Sequence, residues 1–202
     1  GFATPLLVTA PEPSTWGLFS YLLALTATAL AITRYMACWW LAWGTLIGAG
    51  LWPLFWFAAL WSGQDSPALA VYLVLLTGLF LAVRYRWDGE ADTSLWPKSK
   101  PDQIAWIAAL AAGVLTFILV RMDGYDPISL IATFLIAGLF LATAWREPVF
   151  EGLVLAAAAM TLAVIAAWHL PAIADWPRFT HDYRGTGYAG AVGPVVPPQL
   201  SA

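Results

Sequence analysis

The sequence predicts an all-α fold, a polytopic bundle of six transmembrane helices running as serial antiparallel hairpins, and three observations predict it. Hydrophobic residues make up 61% of the 202 residues and charged residues only 10%, against about 25% charged in a soluble domain. So few charges cannot clothe a water-facing surface, and the same apolar area in water would aggregate. The apolar residues also form continuous runs, not the alternation of a transmembrane β-barrel, and each run approaches the roughly 20 residues that a spanning helix needs.

The predicted spans are 16–33, 37–61, 67–83, 104–120, 128–144 and 152–170. Together residues 1–170 make the bundle, and 171–202, rich in Gly and Pro, read as an irregular exposed tail or the lead-in to further sequence. The chain begins at Gly1, which suggests processing or a longer parent, and residues 1–13 lack the basic start of a signal peptide. The odd spans share a grammar. Pro13-Ser14, Ser66-Pro67 and Asp126-Pro127 set a capping residue and a proline at their starts. Arg34, Arg84 with Arg86, and Arg146 follow their ends, where a cation meets the negative pole of the helix and reaches water.

The second span is the richest in tryptophan. Trp39, Trp40, Trp43 and Trp61 fall near its two ends, where indoles anchor at interfaces. Trp52 and Trp56 lie one turn apart within the apolar stretch; with Phe55 they are candidate contacts for a lipid or other apolar ligand, or simply packing residues. Pro53 frees a backbone carbonyl and is positioned to kink the helix. Gly44, Gly48 and Gly50 offer a flat face for a neighbouring helix, as do Ala109 with Gly113 in the fourth span and the run Ala156–Ala159 in the sixth. The third and fifth spans repeat one another: Gly78-Leu79-Phe80-Leu81-Ala82 recurs as Gly138-Leu139-Phe140-Leu141-Ala142, an offset of 60. That points to a repeated helical hairpin.

Function is less legible. No ionisable residue sits in the middle of a predicted span, whereas ion-coupled carriers retain such groups despite a cost of about 2.5–3.5 kcal/mol. Glu151 at the start of the sixth span suits a helix N-terminus. Cys38 stands alone, so a disulfide framework or a cysteine-based metal site is excluded, and no metal or cofactor is expected. His169 and His181 share no helical face. A polar cluster outside the bilayer is conceivable at Arg178, His181, Asp182, Tyr183 and Arg184. The loop 84–103 mixes both charge signs and reads as a solvated linker. Nothing in the sequence suggests a nucleic-acid partner; membrane lipids and further membrane helices, of a longer chain or of partner subunits, are the partners expected.

Lys/Arg placement gives an orientation. One side holds Arg34, Arg84, Arg86, Lys98, Lys100 and Arg146, and the other Arg121, Arg178 and Arg184. The first side is therefore expected in the cytoplasm, with both ends of the chain outside. The residues Trp16 to Leu25, then Arg34, Trp39-Trp40-Leu41-Ala42-Trp43 and Leu51-Trp52-Pro53 resemble a family of long bacterial polytopic membrane proteins of unknown function. The resemblance is best over residues 13–60, and it implies an internal slice of a serial-hairpin protein in an inner membrane, with no catalytic residues to carry over. The expected function is a structural or envelope- and lipid-associated membrane module. The alternatives are a transporter or flippase subunit with a charge-free pathway, and a membrane enzyme whose polar site lies outside the bilayer.

Overall fold

The computed structural model describes residues 14–83 and 99–168. Six helices follow in order: α1 (Thr15–Met36), α2 (Trp39–Ala59), α3 (Ser66–Val83), α4 (Lys100–Met122), α5 (Pro127–Arg146) and α6 (Gly152–Ala167). Single 3-10 turns at Gly63–Asp65 and Pro148–Phe150 lead into α3 and α6, and there is no strand among the described residues. Counting those turns, each helix is 20 to 23 residues long and apolar enough to cross a membrane. At 1.5 Å per residue that is about 30 Å, the thickness of the hydrocarbon core. The chain is a multi-pass membrane protein.

The helix ends follow local chemistry. Ser14 caps α1 by accepting from the Gly17 amide, and Asp126 caps α5 by accepting from Ile128 at 3.0 Å. Ala37, in the left-handed region at φ 51°, stops α1, so α2 starts two residues later than predicted. Helix α4 starts four residues earlier than predicted, because Ser99 caps it and Pro101 occupies its first turn. Glu151 precedes α6 without a capping hydrogen bond from its side chain. Pro13, Arg84, Arg86, Lys98, His169 and the tail 171–202 lie outside the described residues.

The helices form two rows. Helix α3 packs between α1 and α5 in one row, and α4 packs between α2 and α6 in the other. The hairpin partners α1–α2, α3–α4 and α5–α6 join the rows. The packing of sequence neighbours holds with one exception: α2 and α3, linked by a short join, make little contact. Helix α3 instead lies beside α1, parallel to it, as the third member of a two-row array must.

The repeat is visible as burial. Tyr72, Leu73, Leu76, Thr77 and Phe80 of α3 are buried, and so are Ala132, Thr133, Ile136, Ala137 and Phe140, each 60 positions later on α5. The even row repeats as well. All eight buried positions of α2, from Ala42 to Phe57, fall on buried positions of α4 at an offset of 63, from Ala105 to Val120. The five buried positions of α6 match α4 at an offset of 48, from Leu153 on Ala105 to Ala167 on Leu119. The last offset is shorter because the join between α5 and α6 is shorter.

Packing inside the rows is carried by small residues. Ala42, Thr45 and Ala49 of α2 are buried, as are Ala105, Ala108, Ala109 and Ala112 of α4. Of the predicted glycine face of α2, a methyl built on Gly44 or Gly50 meets no atom within 4 Å, so neither of these two is the point of close approach. Gly113 faces Met160 and Phe140 at ordinary contact distance. The tight approach is at Gly152, where a methyl would stand 2.6 Å from the Trp106 ring.

Most polar side chains within the spans bond to backbone carbonyls, which no water is there to satisfy. Threonines bond the carbonyl four residues back, for example Thr45 to Leu41 at 2.8 Å and Thr116 to Ala112 at 2.7 Å. Pro53 has no N–H to offer the Ala49 carbonyl, and the fully buried Tyr72 of α3 donates its hydroxyl there instead, at 2.8 Å. Phe19 of α1 packs against Tyr72 at 4.8 Å between ring centres and against Trp56 at 5.7 Å. The carbonyl that proline releases is thus answered by another helix.

Tyr72→Phe should lower stability by about 1–3 kcal/mol, the usual cost of stranding a buried acceptor, read as thermal unfolding in detergent. In a Pro53→Ala background the new amide satisfies Ala49, so the same change should cost clearly less; equal losses in both backgrounds would contradict the assignment. Gly152→Ala should cost about 1–3 kcal/mol through overpacking on Trp106. Gly50→Ala, in open space, should gain about 0.5–1 kcal/mol.

Candidate functional site at the polar end of the bundle

The odd helices begin and the even helices end at one membrane surface, and a hydrogen-bonded set of polar side chains gathers there. Asp65, in the turn before α3, accepts from four donors. These are Thr15 Oγ1, Trp56 Nε1 at 3.0 Å, the Ser62 amide at 3.0 Å and Ser62 Oγ at 2.9 Å. The donors come from α1, α2 and the α2–α3 join, so one carboxylate ties three elements. Four N–H and O–H groups directed at two oxygens suit the ionised form.

Ser66, the next residue, reaches Asp123 Oδ1 at 2.5 Å and the Gly63 carbonyl at 3.0 Å. One hydroxyl proton cannot serve both acceptors fully. It is therefore shared between the Asp123 carboxyl and the Gly63 carbonyl. Burial pushes the Asp123 carboxyl above the usual carboxylate range; Ser66 and Ser129 oppose the shift and the neighbouring Asp126 adds to it.

On the next helices, buried Arg121 at the end of α4 donates to Tyr125 Oη at 3.0 Å and to the Ala167 carbonyl at 3.3 Å. Tyr125 donates to the same carbonyl, stacks against Trp168 at 4.9 Å between ring centres and holds a left-handed backbone at φ 67°. A cation and a phenol therefore close the C-terminal pole of α6, where positive charge is favoured. Beside them a lateral groove of about 420 Å³ opens between α5 and α6, floored by Thr133 and Val164 and walled by Phe134, Thr161, Ile165 and Trp168.

The predicted contact residues divide. Trp52 and Trp56 are buried in the bundle, and the Trp56 indole is spent on Asp65. The exposed lipid-facing surface expected of them therefore belongs to Phe55 alone, which is half-exposed and meets Trp52 edge-on at 5.8 Å. Arg178, His181, Asp182, Tyr183 and Arg184 lie outside the described residues. Sequence reasoning missed the Asp65 hub and the capping role of Arg121. The spacing Ser62-x-x-Asp65 was a signal for the first; Arg121 looked like an ordinary loop cation. Among the described residues no set of three His, Cys, Asp or Glu is placed to hold a metal ion. Every polar group singled out here is engaged with a helix end or a turn.

No family model matches the chain, and neither curated proteins nor solved structures gave a match.

Because the folded state holds the Asp123 proton more tightly than an unfolded chain would, this group stabilises the fold fully at acid pH. That contribution is lost as pH rises from the usual carboxylate range through the raised value. Thermal unfolding followed across that interval should show declining stability in the parent chain and a flatter profile in Asp123→Asn. Identical profiles would remove Asp123 as the cause.

Proposed function

We propose that this chain is a structural module of a membrane, an array of interlocking hairpins that organises neighbouring helices and lipids. The observation that carries this is the register of the even row. Eight buried positions of α2 recur on α4, so the same alanine-lined seam serves successive hairpins. The polar groups support the reading too: Asp65 and Arg121 bind helix ends and carbonyls rather than facing a common cavity. The groove between α5 and α6 opens sideways toward lipid and has an almost wholly apolar lining.

The partners of such a module are membrane lipids and further transmembrane helices. We place it in a bacterial inner membrane with the Arg34 and Arg146 end in the cytoplasm. The excess of Lys and Arg at that end supports this orientation, and Arg121, counted against it, is occupied as a helix cap. The resemblance of residues 13–60 to serial-hairpin proteins agrees with this setting.

The competing transporter or flippase reading makes an opposite claim. Purified chain in vesicles of phosphatidylcholine and phosphatidylglycerol, carrying a fluorescent lipid in both leaflets, should leave the inner-leaflet label protected from a membrane-impermeant quencher. Loss of that protection relative to protein-free vesicles would replace the structural reading with a lipid pathway.

A further inference from the structure

We propose that Asp123 is a proton-operated latch between the α4–α5 turn and the start of α3, closed when its carboxyl holds a proton and released when it ionises. Such a latch goes beyond the structural reading above and operates whether or not that reading holds.

Ser66 and Asp123 stand 57 positions apart, and their side chains meet at 2.5 Å. One contact thus fastens two turns at the same membrane surface. With Asp123 ionised, the arrangement is short of a donor. Ser66 has a single proton for two acceptors, and Asp123 Oδ2 is buried with no hydrogen-bond partner among the described residues. A proton on Asp123 supplies the deficit. The carboxyl then donates to Ser66 Oγ, and Ser66 donates wholly to the Gly63 carbonyl. The Oδ2 atom left over becomes a neutral carbonyl oxygen, which costs less to bury than part of a carboxylate.

The surroundings favour the same form. Asp126, at the start of α5, sets a like charge beside Asp123. On the α3 side, Asp65 has its oxygens committed to Thr15, Trp56 and Ser62. Arg121, the described cation at this surface, donates to Tyr125 and to the carbonyl end of α6. The turn itself holds an uncommon shape, with Gly124 and Tyr125 both left-handed at φ 68° and 67°. A tyrosine keeps that conformation only while its surroundings impose it. Once ionised, Asp123 swings out to water, and the turn loses its tie to α3 and relaxes. The folded, latched state binds the proton more tightly than a free carboxyl, so the latch is closed in acid and opens as pH rises through the raised Asp123 value.

Cys38 is the only cysteine, so Cys38→Ser gives a clean background. Gln64→Cys and Pro127→Cys, both at exposed positions, then carry nitroxide labels beside the two turns, with the whole chain in lipid nanodiscs. Electron paramagnetic resonance should read a narrow distance distribution in acid that spreads to longer distances as pH rises above the usual carboxylate range. Asp123→Asn, whose amide donates to Ser66 as the protonated carboxyl does, should keep the narrow distribution throughout. Asp126→Asn, which retains a capping side chain and removes the like charge, should move the transition to lower pH. A distribution that does not change with pH in the parent would overturn the latch, even if unfolding temperature falls, and leave Asp123 a fixed structural group. A transition that persists in Asp123→Asn would overturn it in favour of another titrating group. Neither result bears on lipid protection in vesicles, so the structural reading stands or falls separately.

Discussion

The bond from Tyr72 to the Ala49 carbonyl is the constraint around which the first three helices are arranged. A proline inside a helix leaves a carbonyl without its partner, and in hydrocarbon no water can replace it. The nearest helices could have supplied a serine or threonine; this fold supplies a tyrosine from α3, which barely touches α2 otherwise. The hydroxyl reaches across because Phe19 of α1 fills the space beside it and also meets Trp56. Asp65 then fastens the same three helices at their polar end. One lock lies within the apolar core and one at its edge, so α1, α2 and α3 cannot rotate independently.

The second half of the bundle is held by different means. Close approach of α6 to α4 relies on Gly152 under the Trp106 indole, which also donates to the Val149 carbonyl at 3.4 Å. At the other end Arg121 and Tyr125 share the Ala167 carbonyl. A buried cation is costly unless its hydrogen bonds are met, and the free carbonyls at a helix C-terminus meet that need. The arginine thus sits where a lysine, with its compact point charge, could not bridge a phenol and a carbonyl as well. Thr26 Oγ1 and Asp123 Oδ2 depart from this economy, buried without a hydrogen-bond partner among the described residues.

What could be read in advance follows from the solvent. Hydrocarbon demands long uninterrupted apolar helices, so the six spans were legible to within a few residues. The freed carbonyl at Pro53 was legible too, but not the donor, because Tyr72 is 23 positions away and nothing local marks it. Trp52 and Trp56 were correctly placed on one face, yet a helical period does not say whether that face meets lipid or protein. The glycines of α2 misled for a related reason. GxxxG permits close approach without requiring it, and here Gly44 and Gly50 stand open while the neighbouring Ala42 and Ala49 are buried. Asp65, Asp123 and Arg121 lie in or beside turns, where sequence treats charges as solvated. Their shielding depends on the α2–α3 and α4–α5 turns and the end of α6 meeting at one surface.

The described hairpins at either side of the array present apolar outer faces. In water such ends would be exposed apolar faces, and soluble repeat proteins cover them with polar caps. In a bilayer the same faces are solvated by acyl chains, so nothing penalises leaving them bare. Hydrophobicity therefore cannot distinguish an end face awaiting a helix from one that always meets lipid. Register shows where successive seams differ. Phe57 and Val120 are buried at equivalent positions, yet a methyl on Gly50 meets nothing where one on Gly113 meets Met160 and Phe140, and Leu54 is exposed. The seams share their buried small residues and part along this edge.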